Sequence, residues 1–165
     1  MPREYLFFIR ALASAFLSVL ALSAQSFTPI RVNSGGDQYV DSQGVVWAAD
    51  NGFIGAASRE STAMGITGTL SPGIYQSGRF ARVILYSFSV PNGTYTVNLR
   101  FAEIHWTMAG QRIFSVAINN RWVLANFDLI AQAGGPYRAL DKPFTITVTG
   151  GGTKVLNPST SKVTV

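Results

Sequence analysis

The sequence predicts an all-β fold, a single β-sandwich of jelly-roll kind, on three observations. Apolar and polar residues alternate with a period of two in several short runs, the pattern of a strand with one buried face. Gly, Pro, Asn and Asp punctuate those runs, and these are the residues that tight turns require. After the first two dozen residues no window holds a sustained helical period. Composition agrees. Of 165 residues 47% are apolar, an ordinary share, but only 13% are charged, about half the usual value. A domain of about this length buries roughly two-thirds of its unfolded surface, so it needs no covalent staple. There is no Cys to provide one, or to hold a metal through thiolates.

The elements follow in order. Residues 1–24 carry Arg3 and Arg10 at the start and an unbroken apolar and small-residue run from Ala11 onward. That run has the length of a signal-peptide apolar region and is too short for a comfortable membrane span. Ala21-Leu22-Ser23 and Ala24-Gln25-Ser26 both offer small-x-small cleavage patterns. The expectation is a signal peptide over 1–24, with an N-terminal anchor as the alternative. One domain over 27–165 is then exported, secreted or periplasmic/extracellular, and it touches a membrane only if the segment stays uncleaved.

A short strand at 30–33 breaks at Ser34-Gly35-Gly36. In 83–90, Ile84, Tyr86, Phe88 and Val90 share a face; in 95–104, Tyr95, Val97, Leu99 and Phe101 do the same. Pro91-Asn92-Gly93 between those runs predicts a β-hairpin, because Asn-Gly accepts the positive φ of a two-residue turn. By the same logic Asn119-Asn120 joins 112–118 to 122–124. In 144–149, Phe144, Ile146 and Val148 form the buried face, closed by three glycines.

Charge narrows the function classes. The formal net charge is +5, and about +4 once Arg3, Arg10 and Glu4 leave with the leader. The remaining basic residues are scattered along the chain rather than gathered in the stripe that a nucleic-acid partner needs. His105 is the single histidine; it sits in a loop after a strand and lacks partners for a zinc site. Asp37 and Asp41 have turn-forming spacing and do not form an EF-hand loop. Glu103 and Asp128 are the imaginable glycosidase pair, since that chemistry needs two opposed carboxylates. Glu103, however, lies at a strand end, where a carboxylate serves backbone or Arg groups, and Asp128 lies in a turn or helix cap. Asn92-Gly93-Thr94 matches a glycosylation acceptor, and its role in a turn explains it fully. No P-loop, GxSxG or HExxH motif is present. The expectation is a protein without catalysis, metal or cofactor. Its aromatics are suggestive, because sugar rings pair apolar faces with a rim of hydroxyls. Trp106 stands out for the loop-like Thr107-Met108-Ala109-Gly110 that follows it.

Several blocks, in order, resemble one family. They begin with Ile30-Arg31-Val32-Asn33-Ser34-Gly35-Gly36, Tyr39-Val40-Asp41 and Gly44-Val45-Val46-Trp47-Ala48-Ala49-Asp50. Ile74-Tyr75-Gln76-Ser77-Gly78-Arg79-Phe80, Val90-Pro91-Asn92-Gly93-Thr94-Tyr95 and Leu99-Arg100-Phe101-Ala102-Glu103-Ile104 continue the series. Gly110-Gln111-Arg112-Ile113-Phe114 and Asn126-Phe127-Asp128-Leu129 close it. Together they are similar to malectin domains over about 30–149. The resemblance implies a jelly-roll-like β-sandwich of galactose-binding-like architecture, with a loop-borne carbohydrate site and no catalysis. Its implied partner is an oligosaccharide, with glucose-containing glycans suspected.

Carried onto this chain, the resemblance implies ligand-binding positions at His105 and Trp106, where the family has an aromatic pair, and at Phe80 and Glu60, where it has tyrosines. A family Asp precedes an Asn-Pro near the C-terminus. If Asn157-Pro158 is that pair, Leu156 replaces the Asp; otherwise the last strand is truncated or altered. Lost hydroxyl and carboxylate partners forbid carrying over specificity for a glucose disaccharide. The alternative function is a protein-interaction or adhesion module that keeps the fold and has lost the sugar.

Overall fold

The computed structural model describes residues 27–150 and the backbone of a strand at 153–157; the expected leader at 1–24 lies outside the described residues, as does 158–165. The described chain is almost entirely β. Its elements are β1 (Val32–Asn33), β2 (Tyr39–Val40), β3 (Val46–Ala49), β4 (Phe53–Ile54), β5 (Ser58–Ser61), a 3-10 turn (Pro72–Tyr75), β6 (Ser77–Phe80), β7 (Ile84–Phe88), β8 (Gly93–Phe101), β9 (Ile113–Ile118), β10 (Arg121–Asp128), α1 (Leu129–Ala133), β11 (Leu140–Val148) and β12 (Thr153–Asn157).

One layer is a five-stranded sheet in the order β10-β9-β12-β7-β4; β8 and β11 pair on the opposite side of the core, while β1-β3-β2 and β5-β6 form two smaller sheets. Alternation decides what fills the core. Ile84 and Tyr86 from β7, Leu99 and Phe101 from β8, and Phe114, Val116 and Ile118 from β9 form one buried cluster with Phe127 and Leu129. The Phe101 ring packs across the interior on Phe114 and Phe127, with centroids 5.5 and 5.9 Å apart. In β11 the half-buried Phe144 and Ile146 alternate with exposed Thr145 and Thr147, and Val148 is buried. A second cluster joins Trp47, Ile74, Tyr75, Ala102 and Ile104 beside the end of β8.

The turn at Asn119-Asn120 forms the expected hairpin between β9 and β10. Both residues hold positive φ, 48° and 62°, which two-residue hairpin turns demand. The expectation at Pro91-Asn92-Gly93 is corrected. β7 pairs with β12 and β4, whereas β8 pairs with β11. Residues 89–92 instead cross between the layers, a gap of about 10 Å that four residues span easily. Asn92 and Gly93 are absent from the positive-φ positions, so the dipeptide does not use the conformation that suggested a hairpin.

The turn after β1 is pressed onto β6. Gly35 has φ +71°, and a Cβ there would lie 2.2 Å from the Gly78 carbonyl oxygen. Only glycine meets both demands. Just beyond β3, the fully buried Asp50 side chain accepts from Arg79 Nε at 2.7 Å and Tyr86 Oη at 2.8 Å, with Arg79 Nη2 at 2.6 Å. Tyr86 Oη also bonds Ser34 Oγ, so one network ties β1, β3, β6 and β7 together.

Asp41 organises the turn between β2 and β3 by accepting from Gln43 N, Val45 N and the Trp47 indole. The indole bond, followed by the backbone bond from Val45, holds its carboxyl below the ordinary aspartate range. A lowered folded-state pKa stabilises above the unfolded-state value, and that contribution is lost as pH falls through the folded-state value. Acid titration below about pH 4 is therefore expected to alter Trp47 emission before global unfolding, and Asp41→Asn to remove that step. An unchanged acid step in the variant would assign it to another carboxylate.

Candidate functional site

Two segments build the site. In the β5–β6 ribbon Ser58 pairs with Phe80 and Glu60 with Gly78. Paired residues share a face and alternate ones return to it, so Glu60 and the Phe80 ring project from the same side. Arg59 and Arg79 project from the other, toward Asp50. The second segment is the loop after β8, where the chain leaves the second layer and returns at β9.

The segments meet at a buried ion pair. Arg112, 3% exposed along its side chain, places Nε 3.0 Å from Glu103 Oε2 and Nη1 3.5 Å from Glu60 Oε1. Its guanidinium carbon lies 5.7 Å from the Phe80 ring centroid. Glu103, just beyond β8, is 1% exposed, and its Oε1 accepts from the backbone N–H of His105 at 2.8 Å and of Trp106 at 2.9 Å. The carboxylate thus folds the loop and neutralises the guanidinium together. The His105 and Trp106 rings stand edge to face, 4.8 Å between centroids. Farther along, Gln111 Oε1 accepts from Thr107 N and Met108 N, while Asp128 takes Gly110 N at 2.6 Å.

All four positions expected from sequence therefore connect to one centre. Glu60 reaches it by its carboxylate, Phe80 by its ring, and His105 and Trp106 through amides on Glu103. Phe80 and Trp106 are 44% and 38% exposed, so both residues are partly open to solvent. A shallow hollow of about 470 Å³ borders Phe80, walled by Phe53, Ala57 and Arg79. The imagined acid/base pair is otherwise engaged. Glu103 lies under the loop, and Asp128 caps α1 by accepting from Ala131 N.

Arg112 escaped notice in the sequence, where it was one scattered basic residue. Its signal was the pairing of a strand-end Glu with a strand-start Arg nine positions on, both in otherwise apolar surroundings. Arg112 Nη2 is buried and has no hydrogen-bond partner among the described residues. A buried guanidinium with an unused donor is costly, and here it lies 5.7 Å from the centroid of the exposed Phe80 ring.

A family model described as "Malectin domain" matches residues 28–165. Among curated proteins, human malectin is 28% identical over 110 residues, spanning 62% of this chain and 37% of that protein. The Arabidopsis thaliana "Probable LRR receptor-like serine/threonine-protein kinase RFK1" is 37% identical over 84 residues, 46% of this chain and 8% of the kinase. The chain thus spans well under half the length of either relative. Among solved structures, the extracellular domain of Arabidopsis ANXUR2 superposes with a TM-score of 0.72 at 20% identity, covering 82% of this chain and 46% of that one. The Bacteroides uniformis β-glucuronidase gives 0.68 at 24% identity, over 81% and 16%. At these identities the superpositions speak for the fold.

Proposed function

The chain belongs to the malectin-domain family, and from that premise we propose that it binds an oligosaccharide, without turning it over, at the surface formed by Phe80, Glu60, His105 and Trp106. The observation that carries this reading is that the exposed Phe80 and the exposed Trp106 sit on two segments joined by the buried Glu60–Arg112–Glu103 centre. Rings supply apolar faces for sugar C–H bonds, and Glu60, whose side chain is 18% exposed, supplies a carboxylate oxygen to accept from a hydroxyl. Both functions lie within one small surface, as carbohydrate recognition requires.

The ligand differs from that of a tyrosine-lined site. Phe80 stacks but brings no hydroxyl, and Glu60 brings a carboxylate already held by Arg112. Glucose-containing oligosaccharides are the first class to test, with other neutral sugars beside them. The leader reading of residues 1–24 places this binding outside the cytoplasm.

A glycan array probed with the purified chain tests the proposal. Binding to an oligosaccharide is expected, weakened about tenfold to a hundredfold in Trp106→Ala, the equivalent of an aromatic side chain's burial. A cooperatively folded chain that binds no glycan would overturn it. Release of reducing ends from the bound glycan would overturn its non-catalytic part.

A further inference from the structure

We propose that the open edge of β8 is a second binding site, distinct from the sugar surface, that takes an extended peptide strand ending in a carboxylate. β8 is nine residues long and its full register, from Gly93 opposite Val148 to Phe101 opposite Leu140, lies against β11. Among the described residues no other strand pairs with it. Its far edge lines a cleft of about 460 Å³, roofed by Phe27, Pro29, Ile30 and Arg31. Inward-facing Tyr95 and Val97 line that cleft along with outward-facing Thr94, Thr96 and Asn98. Consecutive residues of both orientations border a cavity only where it runs along a strand's edge, since successive side chains point to opposite faces.

The contrast with the other edges is what points to a partner. Proteins blunt exposed edges by shortness, irregularity, proline or charge. β4 has two residues. β10 is broken by register shifts at Trp122/Leu124 and Leu124/Phe127. β11 carries Lys142 and Pro143 in mid-strand, and proline has no N–H to offer a neighbour. The strands of the two small sheets have four residues or fewer. β8 has none of these devices: it is long, regular, and uncharged from Gly93 to Leu99. A β-strand edge presents N–H and C=O groups at every second residue, and an added strand is the ligand that satisfies them.

Polar features of the cleft choose the guest's chemistry. Arg31 and Arg100 line it and no carboxylate does. Arg100 pairs with Asp141 at 3.6 Å, yet its Nε, like Asn98 Oδ1 two residues earlier, is buried without a hydrogen-bond partner. Tyr95, Val97, Phe88 and Ile146 provide apolar contact for alternate side chains of the guest.

The probe is an acetylated hexapeptide of alternating threonine and valine ending in aspartic acid with a free carboxylate, titrated into the full chain. Saturable binding is expected, with slowed hydrogen exchange at β8 amides. N-methylation of alternate peptide nitrogens is expected to abolish both. Arg31→Ala, which leaves the Arg31 carbonyl bond to Ala48 N, should weaken the acidic peptide about tenfold, the loss of one charge-assisted contact, and leave its uncharged amide analogue unaffected. The proposal is overturned if β8 amides are fully protected in the chain alone, if the N-methylated peptide binds equally, or if the chain dimerises through β8 and excludes the peptide. Glycan binding, read separately, is expected to be indifferent to Arg31→Ala.

Discussion

Glu103→Ala is expected to lower stability by about 3–5 kcal/mol, the cost of leaving one member of a buried ion pair without its partner. For a domain of this size that is a fall in Tm of roughly 10–20 °C, measured by calorimetry. The two carboxylate oxygens divide the labour. Oε1 accepts the backbone N–H groups of His105 and Trp106; Oε2 faces Arg112 Nε at 3.0 Å. Alanine removes both, and the 3%-exposed Arg112 keeps only Glu60 at 3.5 Å. Glu103→Gln separates the roles, because its amide oxygen still accepts the two loop amides while the charge is gone. The glutamine variant is therefore expected to keep the loop and bind glycan at reduced stability, whereas the alanine variant loses both. If the alanine variant melts within a few degrees of the parent, the pair does not support the loop.

Much of the fold was legible because burial writes itself into alternation. The Tyr95, Val97, Leu99, Phe101 face and the Ile84, Tyr86, Phe88, Val90 face could be read off a period of two, and a sandwich follows from several such faces. Which strand pairs with which was not so written. Asn119-Asn120 and Pro91-Asn92-Gly93 carry similar turn residues between similar strands, yet one closes a hairpin and the other crosses the core. A turn signal reports where the chain bends. Pairing is decided by which long-range partners bury both faces, and β12, sixty-five positions beyond β7 in sequence order from Phe88 to Thr153, leaves no trace in the turn.

The site divides along the same line. Trp106 was visible as an aromatic before a loop-like run, whereas Phe80 came only with the family resemblance; both residues are exposed. The charged centre was hidden, because Glu60 lies in a segment far in sequence from the loop that holds Glu103 and Arg112. A sequence with few charges makes each one informative, however. A buried charge demands a partner, so a strand-end Glu near a strand-start Arg in apolar surroundings was a readable constraint. Asp50 teaches the same lesson: at the end of β3 it reads as a turn residue, and it is a junction.

That junction carries the second large effect. Asp50→Ala is expected to cost about 3–5 kcal/mol, because it removes in one step the carboxylate facing the Arg79 guanidinium, 15% exposed, and the Tyr86 hydroxyl's acceptor. Arg59, 3.9 Å away and half exposed, contributes little to that loss. The buried residues that Asp50 joins belong to different sheets, so losing it loosens the packing of β6 against β7 as well as one hydrogen bond. Tyr86→Phe removes only the hydroxyl and should cost about 1 kcal/mol. A double-mutant cycle of Asp50→Ala with Arg79→Ala isolates the pair and is expected to give a coupling of about 1–3 kcal/mol by urea denaturation. Coupling near zero would mean that Arg79 is held by its contacts with Phe53 and the Ala57 carbonyl rather than by the carboxylate, and the network would then rest on Tyr86 alone.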